Sequence, residues 1–178
     1  MIIGITGSFG TGKTTVARIL RRKGAKVIDA DKIAHRFISP TRRKELAKIV
    51  FKKRKYLELL CKILHPLIIQ QIKKEIKRFN PNKNIIVIDA PLLIETGLHK
   101  VVDMLVVVKA KRKTQLQRIS GRMGLSRKEI LRRIDFQMSL KKKIKLADFV
   151  IDNNGPITET KKQVDCLWQE ILKNNQRG

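Results

Sequence analysis

Residues 7–15, GSFGTGKTT, fit the spacing G-x-x-x-x-G-K-S/T, with an apolar run before them and a helical pattern after them. The glycines let backbone N–H groups turn toward phosphate oxygens, and the following helix adds the positive end of its dipole. Lys13 is placed to reach the β- and γ-phosphates, and the Thr14 hydroxyl to coordinate Mg²⁺. The segment therefore predicts a site for a nucleoside triphosphate, ATP with Mg²⁺. The residues predicted to hold it are Gly7, Gly10, Thr11, Gly12, Lys13, Thr14 and Thr15.

Acidic residues follow two apolar runs that we interpret as strands, with Asp29 and Asp31 after one and Asp89 after the other. In a parallel sheet the carboxyl ends of these strands share the edge that holds the phosphate loop. Either Asp29 or Asp31 positions an acceptor hydroxyl and takes its proton, or it caps the helix expected to start at Lys32. Asp31 is well placed for that cap, and capping does not exclude catalysis. Asp89 is predicted to hold the Mg²⁺ shell, while Glu95 either contacts substrate or faces solvent.

Basic residues are concentrated in a pair of helices predicted over 113–138. Phosphoryl transfer depends on neutralising charge, so we expect one or two arginines to close over the nucleotide and the rest to be solvated. Periodicity does not choose among Arg112, Arg118, Arg122, Arg127, Arg132 and Arg133. Elsewhere, His65 precedes Pro66, and this pair either contacts a ligand or caps a helix that has proline in its first position.

Apolar runs alternate with helical patterns, which predicts the α/β class and a five-stranded parallel sheet covered by helices on both faces. The predicted strands are 2–6, 26–30, 84–91, 103–110 and 148–153. Between them we predict a helix that stops at Gly24, helical structure over 32–79 with a break at His65 and Pro66, and two basic helices over 113–146 with Ser126 as an N-cap. A closing helix carries an apolar stripe of Val164, Leu167, Trp168, Ile171 and Leu172.

The 178 residues suit one domain, and no apolar run is long enough to cross a bilayer. The net charge of +26 is spread along the chain, and the eight aromatic residues do not interleave with the basic runs. This distribution favours a solvated lysine-rich surface over a specific nucleic-acid site. Cys61 and Cys166 fit no metal spacing, so we expect reduced thiols in a cytoplasmic protein with no membrane partner. A monomer or a weak homo-oligomer is expected.

These segments together resemble the dephospho-CoA kinase family, which belongs to the phosphate-loop kinases related to nucleoside-monophosphate kinases. The resemblance runs from residue 2 to about residue 170. It is carried by IGITGSFGTGKTTVA, VIDADKIAH, LELLCKILHPLI and VIDAPLLIETGL, which are similar to the family's phosphate loop and its D-A-D, H-P and P-L-L-x-E elements. QLQRISGR, RIDFQM and LADFVIDNNG resemble its lid and closing strand.

The resemblance implies transfer of the γ-phosphate of ATP to the ribose 3′-hydroxyl of dephospho-CoA, the last step of coenzyme A biosynthesis. It implies that Asp31 lies near that hydroxyl, that Arg118 and Arg122 act from the lid, and that Asn153 and Gly155 contact the ATP base. With Lys13, these acid and lid residues form the expected catalytic set. The residues that fall in acceptor-side motifs are Asp31, His35, His65, Pro91, Leu92 and Glu95.

The resemblance also implies three parts within one kinase domain: a core (1–31, 84–112 and 147–178), a helical acceptor-binding subdomain (32–83) and a lid (113–146). The chain departs from the family between D-A-D and H-P, where a longer stretch with a G-x-x-x-R-x-x-L element is missing or degenerate. This departure leaves open a kinase for another small acceptor, a nucleoside monophosphate or shikimate. The basic charge leaves open a nucleic-acid-binding phosphate-loop NTPase.

Overall fold

Five parallel strands form one sheet in the computed structural model, which describes residues 1–39, 42, 45–46, 54–123 and 125–176. Across the sheet the strand order is β2-β3-β1-β4-β5, and every neighbouring pair is parallel. The α/β class and the five-stranded parallel sheet expected from the sequence are confirmed. The strands are β1 (Ile2–Thr6), β2 (Lys26–Asp29), β3 (Ile86–Asp89), β4 (Met104–Lys109) and β5 (Phe149–Asp152).

Helices cover both faces of the sheet, and a short 3₁₀ helix (Leu98–Val101) precedes β4. No helix in the described ranges combines the length and the apolar composition needed to cross a bilayer. Within those ranges the α-helices are α1 (Lys13–Arg22), α2 (Ala30–Phe37), α3 (Arg54–Phe79), α4 (Arg112–Met123), α5 (Arg127–Phe136), α6 (Leu140–Lys145) and α7 (Ile157–Gln176).

Alternating strand residues supply two separate apolar cores, which is why the central strands are apolar throughout. Ile3, Ile5 and Val87 pack on one face with α1 and α7, whose buried stripe confirms the closing helix. Ile86 and Ile88 pack on the other face with α2 and α3. Each face therefore holds a helix that begins near the carboxyl ends of the strands, α1 on one face and α2 on the other.

The helix break predicted at His65 and Pro66 is wrong, because α3 runs without interruption from Arg54 to Phe79. Proline removes one backbone donor from a helix, and this loss is tolerated when tertiary packing holds the flanking turns. Ile72 provides such packing, since it is fully buried against the second face of the sheet. The helix does end before the NPN segment, where Asn80 adopts a φ of 50°.

The region predicted as two basic helices contains three, because a short extended segment at Gln137 separates α5 from α6. Ser126 caps α5 as expected, and its hydroxyl and backbone form a reciprocal capping box with Glu129. Ser139 caps α6 by accepting a hydrogen bond from the Lys142 N–H. The additional break matters for the site, since it turns α6 back toward the sheet.

Candidate active site

The phosphate loop joins β1 to α1 and depends on two glycines in the left-handed region, Gly10 (φ 81°) and Gly12 (φ 92°). A Cβ on Gly10 would lie 2.5 Å from Cδ1 of Ile119 on α4. A Cβ on Gly12 would collide with the Asn153 side-chain amide. Glycine is therefore needed at both positions for backbone geometry and for close packing of the loop against its neighbours.

Lys13 is buried within the loop, where its Nζ donates a hydrogen bond to the Ser8 carbonyl at 3.2 Å. The same carbonyl accepts from Thr11 Oγ1 at 2.9 Å, so the loop is closed by its own side chains. Burial lowers the pKa of Lys13, while the negative charges of Asp89, Asp31 and Glu95 act in the opposite direction. The ammonium thus lies close to three carboxylates, and Lys13 also lines the cleft where a phosphate would bind.

The acids at the carboxyl ends of β2 and β3 meet because Asp29 and Asp89, the last residues of these strands, are paired in the parallel register. Asp29, and not Asp31, caps the following helix: it accepts the Lys32 N–H at 2.9 Å, and α2 begins at Ala30. One of the two acids does cap the helix, as one interpretation allowed, but it is Asp29, because α2 starts two residues before Lys32. Asp31 therefore lies within the first turn of α2, and its carboxylate does not cap that helix.

The Asp31 side chain reaches solvent through the mouth of a cleft, but the walls of the cleft desolvate it and raise its pKa. Lys13 opposes this rise and Asp29 adds to it. Asp89 is buried, and the loss of solvation raises its pKa to about 6 despite the nearby Lys13. The nearby Thr14 hydroxyl also opposes the rise in the pKa of Asp89, so the two proposed metal ligands lie close together.

A cleft of about 470 Å³ opens between the phosphate loop, α4 and the segment after β5. It contains most of the residues predicted to bind the nucleotide, and also Arg18, which the sequence analysis missed. Arg18 lies one helical turn after Thr14, so helical spacing alone was a usable signal for it. The lining residues that were predicted are Gly10, Gly12, Lys13, Thr14, Thr15, Asp31, Arg118, Asn153 and Gly155.

Asn153 connects this cleft to the phosphate loop by hydrogen bonds on both sides of its amide. Its Nδ2 donates to the Thr11 carbonyl at 2.8 Å, and its Oδ1 accepts from Thr160 Oγ1 at 2.7 Å. The side chain is buried, so these bonds hold the loop against the start of α7. Gly155 lines the cleft beside it, and contact of the two residues with the ATP base stays a prediction.

The lid arginines differ in their surroundings. Arg118 on α4 lies beside Gly12, and its Nη1 is buried with no hydrogen-bond partner in the described part of the chain. Arg112 forms an ion pair with Asp135 at 2.8 Å. A buried N–H without a partner is costly, so Arg118 is suited to an anionic ligand in the cleft. The side chain of Arg122 lies outside the described residues.

A second cavity, apolar and with a volume of about 170 Å³, lies between α2, α3 and the segment after β3. Asp31 lines this cavity as well as the nucleotide cleft. His65, Pro91 and Leu92 are the other predicted residues in its wall, and partial burial lowers the pKa of His65. His35 is exposed on α2, one turn after Asp31, and lies outside both linings.

Glu95 lies behind the apolar cavity and is bound to a lysine that the sequence analysis missed. Lys143 on α6 is fully buried, and its Nζ lies 2.9 Å from Glu95 Oε1 and donates to Oε2 at 3.0 Å. Glu95 Oε1 also accepts the Met138 N–H at 2.9 Å. Nothing in the sequence KKKIK, residues 141–145, distinguishes Lys143 from the neighbouring lysines. The position of α6 in the fold alone decides which lysine is buried.

Replacing Gly12 by alanine is expected to weaken ATP binding more than tenfold, because the new Cβ collides with Asn153 and displaces the loop amides. The measurement is a titration with a fluorescent ATP analogue. Gly24→Ala is the matched control, since Gly24 also has a positive φ (107°) but no heavy atom within 4 Å of its Cβ position. It is expected to lose about 1 kcal/mol of stability and to bind normally. Equal binding losses in both variants would contradict the steric explanation.

Comparisons with known proteins agree with this architecture. A family model described as dephospho-CoA kinase matches residues 1–42 and 39–159, two segments that overlap at the beginning of the shortened stretch. Most of that stretch, in which the family's G-x-x-x-R-x-x-L element is missing or degenerate, lies outside the described residues. A dephospho-CoA kinase from Carboxydothermus hydrogenoformans is 39% identical over 192 residues, covering 95% of this chain and 93% of the relative.

Solved structures extend the comparison to the fold. A dephospho-CoA kinase from Campylobacter jejuni is 27% identical and superposes with a TM-score of 0.70, covering 98% of each chain. A shikimate kinase from Acinetobacter baumannii reaches a TM-score of 0.62 over 97% of this chain and 93% of its own. Its 18% identity supports the shared fold alone. The family match over most of the length shows that this chain is a kinase and belongs to the dephospho-CoA kinase family.

Proposed function

We propose that the chain transfers the γ-phosphate of ATP to the ribose 3′-hydroxyl of dephospho-CoA, giving CoA and ADP. The observation that carries this proposal is the position of Asp31, which lines both the nucleotide cleft and the apolar cavity. A carboxylate shared by the two cavities is suited to face a hydroxyl on one side and a phosphoryl group on the other. The family membership supports dephospho-CoA as the acceptor.

In the proposed reaction, the acceptor oxygen attacks the γ-phosphorus while the bond from that phosphorus to the bridging oxygen of ADP breaks. Asp31 orients the hydroxyl and accepts its proton; desolvation by the walls of the cleft, which raises the pKa of this carboxyl, makes it a better base. Lys13 and Arg118, which both line the cleft, neutralise charge on the phosphates. Because such transition states are loose, orientation contributes much of the effect of Asp31.

The ligand types at the edge of the loop fit a magnesium ion. Thr14 and Asp89 supply hard oxygen ligands, and their proximity supports a role for both at one metal ion. The raised pKa of Asp89 also fits, because a buried carboxylate of this kind is stabilised by a cation. Held by Thr14 and Asp89, Mg²⁺ would supply positive charge that neutralises the charge developing on the phosphate oxygens.

The proposal assigns roles to the three regions expected from the sequence. Residues 32–83 form the acceptor-binding side, residues 113–146 the lid, and the remainder the core. We also infer a cytoplasmic enzyme that acts as a monomer or a weak homo-oligomer without a specific nucleic-acid partner. The free thiols of Cys61 and Cys166 support a reducing compartment.

A panel of acceptors tests the proposed function. We expect ADP release with dephospho-CoA to exceed that with nucleoside monophosphates and with shikimate by at least tenfold in kcat/KM, because the family's acceptor motifs line one cavity. Turnover is expected to be unchanged by added RNA near physiological salt. Absence of a preference for dephospho-CoA would contradict the proposal, and RNA-stimulated ATP hydrolysis would favour the nucleic-acid alternative.

Substituting Asp31 by asparagine is expected to lower kcat on dephospho-CoA about a hundredfold, since the amide cannot accept the proton. The KM for ATP is expected to change less than twofold, because the loop and Lys13 are retained. Asp29→Asn is the matched control: it removes a charge from the same cluster, and asparagine caps a helix as well as aspartate does. Steady-state kinetics of both variants provide the measurement, and near-normal turnover of the Asp31 variant would remove that residue from the mechanism.

The pH dependence of the magnesium requirement follows from Asp89. Its folded pKa is raised to about 6, so the carboxyl is protonated below that pH and ionised above it. Protons and Mg²⁺ compete for the same group, and the Mg²⁺ concentration that gives half-maximal activity is expected to rise about tenfold per pH unit well below 6. Activity titrations with Mg²⁺ between about pH 5 and pH 8 measure this shift. A half-maximal concentration that stays constant throughout that range would exclude Asp89 as the titrating ligand.

A further inference from the structure

Lys143 differs from the other lysines of α6 in its surroundings. Its side chain is fully buried, whereas Lys141, Lys142 and Lys145 on the same short helix are exposed. All three of its donor directions are used: Nζ donates to the Pro91 carbonyl at 2.6 Å, to Glu95 at 3.0 Å and to Thr6 Oγ1 at 3.3 Å. A buried ammonium with a complete set of acceptors has one defined position.

An apolar side chain would be cheaper to bury at this position. Taking an ammonium out of water carries a large penalty, and a hydrophobic residue of similar volume often replaces a buried ion pair without loss of stability. Burial indeed lowers the pKa of Lys143, with Glu95 opposing the shift. The lysine is thus better explained by what its three bonds hold in place than by its contribution to folding.

The three acceptors belong to opposite sides of the reaction centre. Thr6 is the last residue of β1 and directly precedes the phosphate loop, and its hydroxyl also donates to the Pro91 carbonyl at 3.2 Å. Pro91 lines the apolar cavity. Glu95 belongs to the same segment and lies in sequence between two other lining residues, Leu92 and Thr96. One ammonium group therefore joins the beginning of the nucleotide loop to the wall of the acceptor cavity.

A second connection runs through the same carboxylate. Glu95 accepts the Met138 N–H at 2.9 Å, and the preceding residue, Gln137, accepts the Phe9 N–H of the phosphate loop through its Oε1 at 2.8 Å. Phe9 lines the nucleotide cleft. The acceptor wall is consequently linked to the loop both at its start, through Thr6, and at its tip, through the segment between α5 and α6.

We propose that Lys143 is a positioning residue that keeps the wall of the acceptor cavity, at Pro91 and Glu95, in register with the phosphate loop. It touches neither substrate, since its ammonium is enclosed by protein. The inference rests on the proposed function, because it names the residue that aligns the acceptor side of that site. Displacement of a positioned reactant by about 1 Å can cost a hundredfold in rate, so loss of this link should be visible in the kinetics.

The test compares Lys143→Met with Lys142→Met, which removes an exposed charge from the same helix. For Lys143→Met we expect kcat/KM for dephospho-CoA to fall at least tenfold while the KM for ATP stays within twofold of wild type. Lys142→Met is expected to match wild type, and Lys143→Arg, which keeps the charge, to recover part of the loss. A Lys143→Met enzyme with both constants near wild type, or with a KM for ATP that rises as much as the KM for dephospho-CoA, would overturn the proposal.

A second readout covers a variant that folds poorly and separates this inference from the proposed function. Glu95→Gln weakens the same link with an isosteric side chain, and the double variant with Lys143→Met is expected to be no worse than the poorer single variant. Amide hydrogen exchange needs no turnover: both single variants should exchange faster than wild type at residues 92–96. Unchanged exchange there would overturn the positioning role, whereas a wild-type chain inactive on dephospho-CoA would contradict only the proposed function.

Discussion

The parallel pairing of β3 with β1 and β2 is the constraint on which the rest of the structure depends. Because the three strands run in one direction, the register pairs Asp89 with Ile5 on one side and with Asp29 on the other. The phosphate loop leaves β1 after Thr6, at the same edge. The phosphate loop and the acids at the ends of β2 and β3 thus meet because the backbone hydrogen bonds of the sheet hold each of these segments at one edge.

Charge at this edge is balanced locally and does not follow the net charge of +26. Burial lowers the pKa of Lys13, and nearby carboxylates counteract that effect. On the other side of Glu95, burial likewise lowers the pKa of Lys143. Within the part of the chain that the structure describes, Lys13 and Lys143 are the buried lysines, whereas the exposed lysines of α6 contribute to a solvated surface. The electrostatics of the site are therefore set by which cations are desolvated.

Local signals in the sequence predicted local features well. The glycine loop and the Ser126 cap follow from backbone rules that act over a few residues, and the structure has both. The break at Pro66 was wrong because that rule is also local, whereas the packing of Ile72 decides whether the helix continues. The sequence left open which of Asp29 and Asp31 would cap α2, and the start of the helix at Ala30 gives the role to Asp29.

By itself the sequence determined the phosphate loop, the α/β class and the family resemblance, because glycine spacing and apolar periodicity are properties of contiguous residues. Tertiary structure alone decided that Asp31 would line two cavities and that Lys143, rather than Lys142, would be buried against Glu95. The physical reason is that desolvation and hydrogen bonding at these positions involve segments separated by dozens of residues. Identical lysines in one run acquire different chemistry only when the fold gives one of them acceptors and removes its water.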